Sequence, residues 1–171
     1  MILDHHAGVI LPAKSMIIVV MGVSGSGKTT IGKLLAQRLG CEFLDGDDFH
    51  PPENVAKMTA GTPLTDEDRK PWLETLNGML RQRRNVVLAC SALKESYRKT
   101  LSKGLPGCRL VHLHGSIELI RARLAERKHR YMPASLLESQ FATLEPPARG
   151  IGVNIGQAPE RCVDDILAAL G

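Results

Sequence analysis

The sequence predicts an α/β domain, a parallel sheet with helices on both faces, and three observations carry that expectation. Short apolar runs at 16–21, 42–45, 85–90, 109–113 and 151–155 alternate with longer stretches of helical periodicity. Between the first run and the first helical stretch lies Gly22-Val23-Ser24-Gly25-Ser26-Gly27-Lys28-Thr29, which satisfies every fixed position of the pattern G-x-x-x-x-G-K-[ST]. The chain has 171 residues, 43% of them hydrophobic, and no apolar run of membrane-spanning length, so a single domain over 16–171 is expected to build its own core.

The first strand and helix flank a phosphate-binding loop. The run 16–21 reads as a buried strand, and Lys28 onward reads as a helix with apolar residues at Ile31, Leu34, Leu35 and Leu39. The glycines allow backbone N–H groups to converge on phosphate oxygens, and the helix N-terminus adds favourable partial charge. Residues Gly22 to Thr30 are therefore the expected nucleoside triphosphate site, with Lys28 reaching the terminal phosphates and the Thr29 hydroxyl ligating Mg2+.

Charge and cysteines set outer limits. The formal charge of +4 is not gathered in a tail, which suits small anionic ligands, so neither a nucleic-acid partner nor a membrane is expected. Cys41, Cys90, Cys108 and Cys162 form no C-x-x-C pair and read as reduced thiols of a cytoplasmic protein. Residues 1–15 lack the basic start of a signal peptide; they are expected to be a flexible extension, or to lie upstream of the true start at Met16. His5 and His6 there read as a solvated pair.

Further along, chemistry is expected just after each strand, because ligands of such sheets gather at the carboxyl ends. The second strand runs into Asp45-Gly46-Asp47-Asp48-Phe49-His50-Pro51-Pro52. Asp45 and Asp47 can share one face of an extended chain, one carboxylate for the metal's shell and one for the proton of an attacking hydroxyl. Asp48 is expected to be a helix N-cap. A loop holding Lys57, Gly61, Thr62 and Pro63 follows, then a helix restarting at Thr65-Asp66-Glu67-Asp68, with Pro71 in its first turns. Arg69 and Lys70 beside Trp72 suggest a cation-bearing surface with an aromatic floor; the alternative, Trp72 as a plain core residue, stays open. Arg81, Arg83 and Arg84 complement that helix's C-terminal dipole.

The third strand leads into Cys90-Ser91-Ala92-Leu93-Lys94 and a helix carrying Tyr97 and Arg98. No acid ends it, so the metal carboxylate falls to Asp45. His112 and His114 on the fourth strand have the spacing of a same-face pair and read as packing residues. After it, the stripe Ile117, Ile120, Leu124 continues with Arg127 rather than an apolar residue; Arg123 precedes it by one turn, and Lys128, His129 and Arg130 follow. A lid around 123–145 that brings arginines onto phosphates is expected, against the alternative of a solvated helix end. Stretches 135–144 and 159–170 read as the last two helices.

Three function classes compete. A regulatory GTPase needs D-x-x-G and N-K-x-D motifs, which the chain lacks, and a nucleic-acid-linked ATPase needs a strand ending in a Walker-B acid, where this one reaches Ser91. A small-molecule kinase remains. The segments F-L-D-G-D-D-F-H-P, G-T-P-L-T-D-E-D-R-K-P-W-L, C-S-A-L-K-E-S-Y-R and S-Q-F-A-T-L-E-P, together with the phosphate loop, resemble the P-loop gluconokinases over nearly all of 16–170. That resemblance implies ATP- and Mg2+-dependent phosphorylation of D-gluconate to 6-phosphogluconate by a homodimer with a shikimate-kinase- and nucleoside-monophosphate-kinase-like P-loop fold. Similarity to shikimate kinase implies Asp45 for the Mg2+ shell and Asp47 for the substrate hydroxyl. Similarity to adenylate kinase implies that Arg123 stacks on adenine and Arg127 contacts phosphate, making Lys28, Asp47 and Arg127 the catalytic set.

A linear sugar acid needs a cation for its carboxylate and hydrogen-bonding groups for its hydroxyls. His50, Lys57, Arg69, Lys94 and Arg98 are the candidates, with Arg98 and Lys94 foremost because their helix starts at the site. A nucleoside-monophosphate kinase is the runner-up.

Overall fold

The structure is a computed structural model that describes residues 2–3, 10–11, 15–126 and 134–171. Its main sheet contains β1 (Met16–Met21), β2 (Glu42–Asp45), β3 (Asn85–Ala89), β4 (Cys108–His114) and β5 (Ile151–Asn154). All pairings are parallel, in the order β2-β3-β1-β4-β5. A separate antiparallel pair joins Ile2–Leu3 to Ile10–Leu11. The helices are α1 (Lys28–Leu39), α2 (Pro52–Thr59), α3 (Asp66–Arg81), α4 (Glu95–Leu101), α5 (Ile117–Glu126), α6 (Ala134–Thr143) and α7 (Pro159–Leu170).

The central strand is apolar along its length because it feeds two cores. Ile18 and Val20 pack with Val87, Val111 and Val153 of the sheet, Leu35 of α1 and Ile166 of α7. Ile17, Val19 and Met21 pack on the opposite face with Leu76 and Leu80 of α3 and Leu101 of α4. Register then aligns the chemistry, since Val20 and Asp45 both pair with Ala89. The Gly22 N–H donates to the Ser91 carbonyl at 3.3 Å, bringing the phosphate loop beside the turn after β3.

Two local expectations are corrected. Lys57 lies in a helix, α2, not a loop: Pro52 opens it with its φ preset, and Asn54 is its buried residue. Asp48 does not cap a helix. Residues Gly46–Phe49 form a 3₁₀ turn whose cap is Asp45, accepting the Asp47 N–H at 3.0 Å. The start of α3 is as read, with Thr65 and Asp68 forming a reciprocal capping box. At its far end Arg83 donates to the Met79 carbonyl at 2.8 Å and pairs with Glu42 at 2.9 Å.

Of the two readings left open for it, Trp72 has the core one. It is buried in the α3 core, its Nε1 donates to the Gly46 carbonyl at 2.8 Å, and His50 stacks on its ring with centroids 3.9 Å apart. His112 is buried and His114 exposed, with rings 5.7 Å apart.

Candidate active site

The phosphate loop depends on two left-handed glycines, Gly25 (φ 83°) and Gly27 (φ 92°). A Cβ on Gly25 would also meet Leu124 of α5 at 2.9 Å, so the helix entering the expected lid rests directly on the loop. Gly27 caps α1 without a side-chain bond, which leaves first-turn amides for a ligand, and Thr29 and Thr30 beside them are exposed. Lys28 folds back, its Nζ donating to the Val23 carbonyl at 3.0 Å. The buried Ser26 hydroxyl packs against Gly22 and has no hydrogen-bond partner among the described residues.

Thr29 donates its hydroxyl to Asp45 Oδ2 at 3.0 Å. Two hard oxygen donors thus meet at the mouth of the loop, a set that fits Mg2+. Among the described residues no group of three or more His, Cys, Asp or Glu could cage a metal.

Across from the loop, His50 is sandwiched between Trp72 and Asn54. Asn54 Nδ2 donates to the Asp68 carbonyl at 3.0 Å and contacts His50 Nδ1 at 3.2 Å, so Nδ1 accepts and Nε2 carries the proton. Nε2 lies 3.8 Å from Asp47 Oδ1. Burial lowers the His50 pKa, opposed by the Asp47 carboxylate and reinforced by Arg69. Lys57 donates to Asp68 at 2.8 Å; chiefly through this bond, and through the Thr65 N–H, the Asp68 pKa is pulled down to about 2.

A second cluster joins α3 to α4. Tyr97 donates its hydroxyl to Asp66, Lys94 pairs with the same carboxylate at 3.1 Å, and Arg69 donates to the Tyr97 oxygen at 3.0 Å and the Leu64 carbonyl at 2.6 Å. Arg69 and Lys94 lie 5.1 and 5.6 Å from the Tyr97 ring centre. The Tyr97 bond and then the Lys94 bond lower the Asp66 pKa, burial raises that of Tyr97, and the Asp66 bond raises that of Lys94.

Arg98 is differently engaged. It is buried, and its guanidinium donates to the Ala92 carbonyl at 2.8 Å, the Glu145 carbonyl at 2.9 Å and the Glu95 carboxylate at 3.1 Å. Arg123 donates to the Ile155 carbonyl beyond β5. Arg127 and the stretch 127–133 of the expected lid lie outside the described residues.

Several participants escaped the sequence reading: Tyr97 as a partner of Asp66, Asn54 behind His50, and Gln140, which bonds Ser24 twice. Tyr97 carried a signal, as an aromatic hydroxyl one residue before Arg98, and Gln140 lay in the segment S-Q-F-A-T-L-E-P.

The shikimate kinase family model matches residues 24–143. A probable gluconokinase of Xenopus tropicalis is 49% identical over 167 residues, covering 86% of this chain and 83% of the relative. The thermosensitive gluconokinase of Escherichia coli K12 is 43% identical over 162 residues, covering 88% and 87%. The crystal structure of a gluconokinase from Sinorhizobium meliloti 1021 superposes with a TM-score of 0.86 at 45% identity, covering 93% of each chain. With the phosphate loop, the paired Thr29 and Asp45, and these relatives along most of its length, the chain belongs to the gluconokinase family of shikimate-kinase-like P-loop kinases.

Proposed function

We propose that the protein transfers the γ-phosphoryl group of ATP to D-gluconate, forming ADP and 6-phosphogluconate. The observation that carries this reading is the meeting, at the carboxyl ends of the parallel strands, of the phosphate loop and the Thr29–Asp45 oxygen pair, with the cations Arg69 and Lys94 held over Tyr97 on the helices that follow. The loop amides and Lys28 bind the triphosphate, and Arg123 stacks on the adenine once released from the Ile155 carbonyl. Thr29 and Asp45 hold Mg2+, which when bound compensates charge on the phosphates. Asp47, on the turn capped by Asp45, orients the acceptor hydroxyl and takes its proton.

For the acceptor carboxylate, Lys94 and Arg69 are the better candidates, because both lie over the Tyr97 ring while Arg98 already serves two backbone carbonyls. His50 and Lys57 supply hydrogen bonds to hydroxyls, and Arg127 closes over the phosphates. The reading extends to a homodimer in the cytoplasm, on family likeness and on the free cysteines Cys41, Cys90, Cys108 and Cys162.

The test is an acceptor panel with MgATP: gluconate, other sugar acids, shikimate, AMP and CMP, followed by ADP release. Gluconate should give the highest kcat/KM. A site that hydrogen-bonds hydroxyls and pairs a carboxylate rejects ligands that leave those groups unpaired. Faster turnover of AMP or CMP would refute the acceptor assignment and leave the phosphate-loop chemistry standing.

A further inference from the structure

Gln140, on α6, reaches back to the phosphate loop. Its Oε1 accepts the Ser24 N–H at 2.7 Å and its Nε2 donates to Ser24 Oγ at 3.1 Å. The Ser24 N–H and the Val23 carbonyl belong to one peptide group, and that carbonyl is the acceptor for Lys28 Nζ at 3.0 Å. A peptide is a rigid plane. Gln140 on its N–H edge and Lys28 on its C=O edge are therefore oriented by the same object.

The same stretch of chain is anchored on the acceptor side. The Glu145 N–H donates to the Leu93 carbonyl at 2.8 Å, its carboxylate accepts the Glu95 N–H at 3.0 Å, and its carbonyl takes the Arg98 bond at 2.9 Å. Those contacts flank Lys94. Residues 140–145 thus run from the peptide that holds Lys28 to the loop that holds a candidate acceptor cation.

We propose that Gln140 is a positioning residue for phosphoryl transfer: it sets the Val23–Ser24 peptide, and through it Lys28, in register with the acceptor side. The proposal rests on the kinase reading above but not on the identity of the acceptor. Phosphoryl transfer asks mainly for alignment of the reacting groups, so loosening this peptide should slow the chemical step more than it weakens ground-state binding.

Gln140→Met keeps the side chain's length and bulk and removes both bonds; Gln140→Asn keeps the amide but is one methylene too short. Each should lower kcat between about ten- and a hundredfold, with the ADP dissociation constant by calorimetry and the acceptor KM within about twofold of wild type. The Asn variant decides the matter should the Met variant fold poorly. An unchanged kcat, or an ADP constant that weakens in step with kcat, overturns the proposal. Each variant is assayed with whichever acceptor the wild-type enzyme uses best, so an error about gluconate shows in the wild-type panel and an error about Gln140 shows in the variants.

Discussion

Thr29 and Asp45 share a hydrogen bond of 3.0 Å between the first turn of α1 and the end of β2, while the other Asp45 oxygen accepts the Asp47 N–H, also at 3.0 Å. One carboxylate therefore spans the loop and the turn that carries the proposed base. This separates the effects expected of the two acids. Asp45→Asn should raise the Mg2+ concentration for half-maximal rate by about tenfold or more, because a neutral amide is a poorer ligand for a hard cation. Asp47→Asn should instead lower kcat by about a hundredfold at saturating Mg2+, as expected for loss of a general base. Mg2+ titrations of both variants decide it; superimposable curves would reject the division of labour.

Arg98 and Lys94 should behave oppositely. Arg98→Met leaves the Ala92 and Glu145 carbonyls without their donor, a cost of about 1–3 kcal/mol for a buried group, or a fall of roughly 5 °C in Tm for a chain of this size. Lys94→Ala, at a partly exposed position, should leave Tm nearly unchanged and raise the gluconate KM by about tenfold. Thermal melts beside acceptor titrations test both. A stable Arg98→Met with a greatly raised gluconate KM would return the carboxylate to Arg98.

The contrast marks where the sequence was legible. β1 and the phosphate loop could be read because their information is local: a strand buried on both faces is a continuous apolar run, and the loop's glycines stand at fixed spacing. α2 was missed because it has almost no apolar face to show; Val55 is 46% exposed, and Asn54 is the helix's buried residue. Arg98 was placed on the helix after β3, where the structure has it, but its engagement depends on carbonyls supplied by Ala92 and the distant Glu145. Ser24 and Gln140 are 116 positions apart, and no periodicity or spacing rule connects them.

Asp68 ties the start of α3 to Lys57, and its lowered pKa has a signed consequence. With a folded value of about 2 against an unfolded carboxylate near 3.9, its stabilisation is complete above about pH 4 and is lost as pH falls toward 2. The Tm gap between wild type and Asp68→Asn should therefore shrink between pH 4 and pH 2.5. Melts across that range check it, and a constant gap would show that Asp68 ionisation contributes nothing to the fold.

Trp72 is the chain's one tryptophan, so intrinsic fluorescence reports directly on the His50 stack. A protonated imidazole quenches indole and a neutral one quenches it less, so emission should rise with pH as His50 loses its proton. Burial lowers the His50 pKa, so the midpoint should lie below the ordinary value of about 6.5. The Asp47 carboxylate favours the charged ring and Arg69 opposes it, so Asp47→Asn should move the midpoint lower still. His50→Gln should abolish the transition and identify its source. A midpoint at or above 6.5, or one that ignores Asp47, would mean that the ring is not held neutral against Trp72. At pH 8, where His50 is neutral, gluconate should still change the emission, because the proposed acceptor site borders His50, which stacks on Trp72. An emission unmoved by saturating gluconate would put the acceptor elsewhere, away from the His50–Trp72 stack.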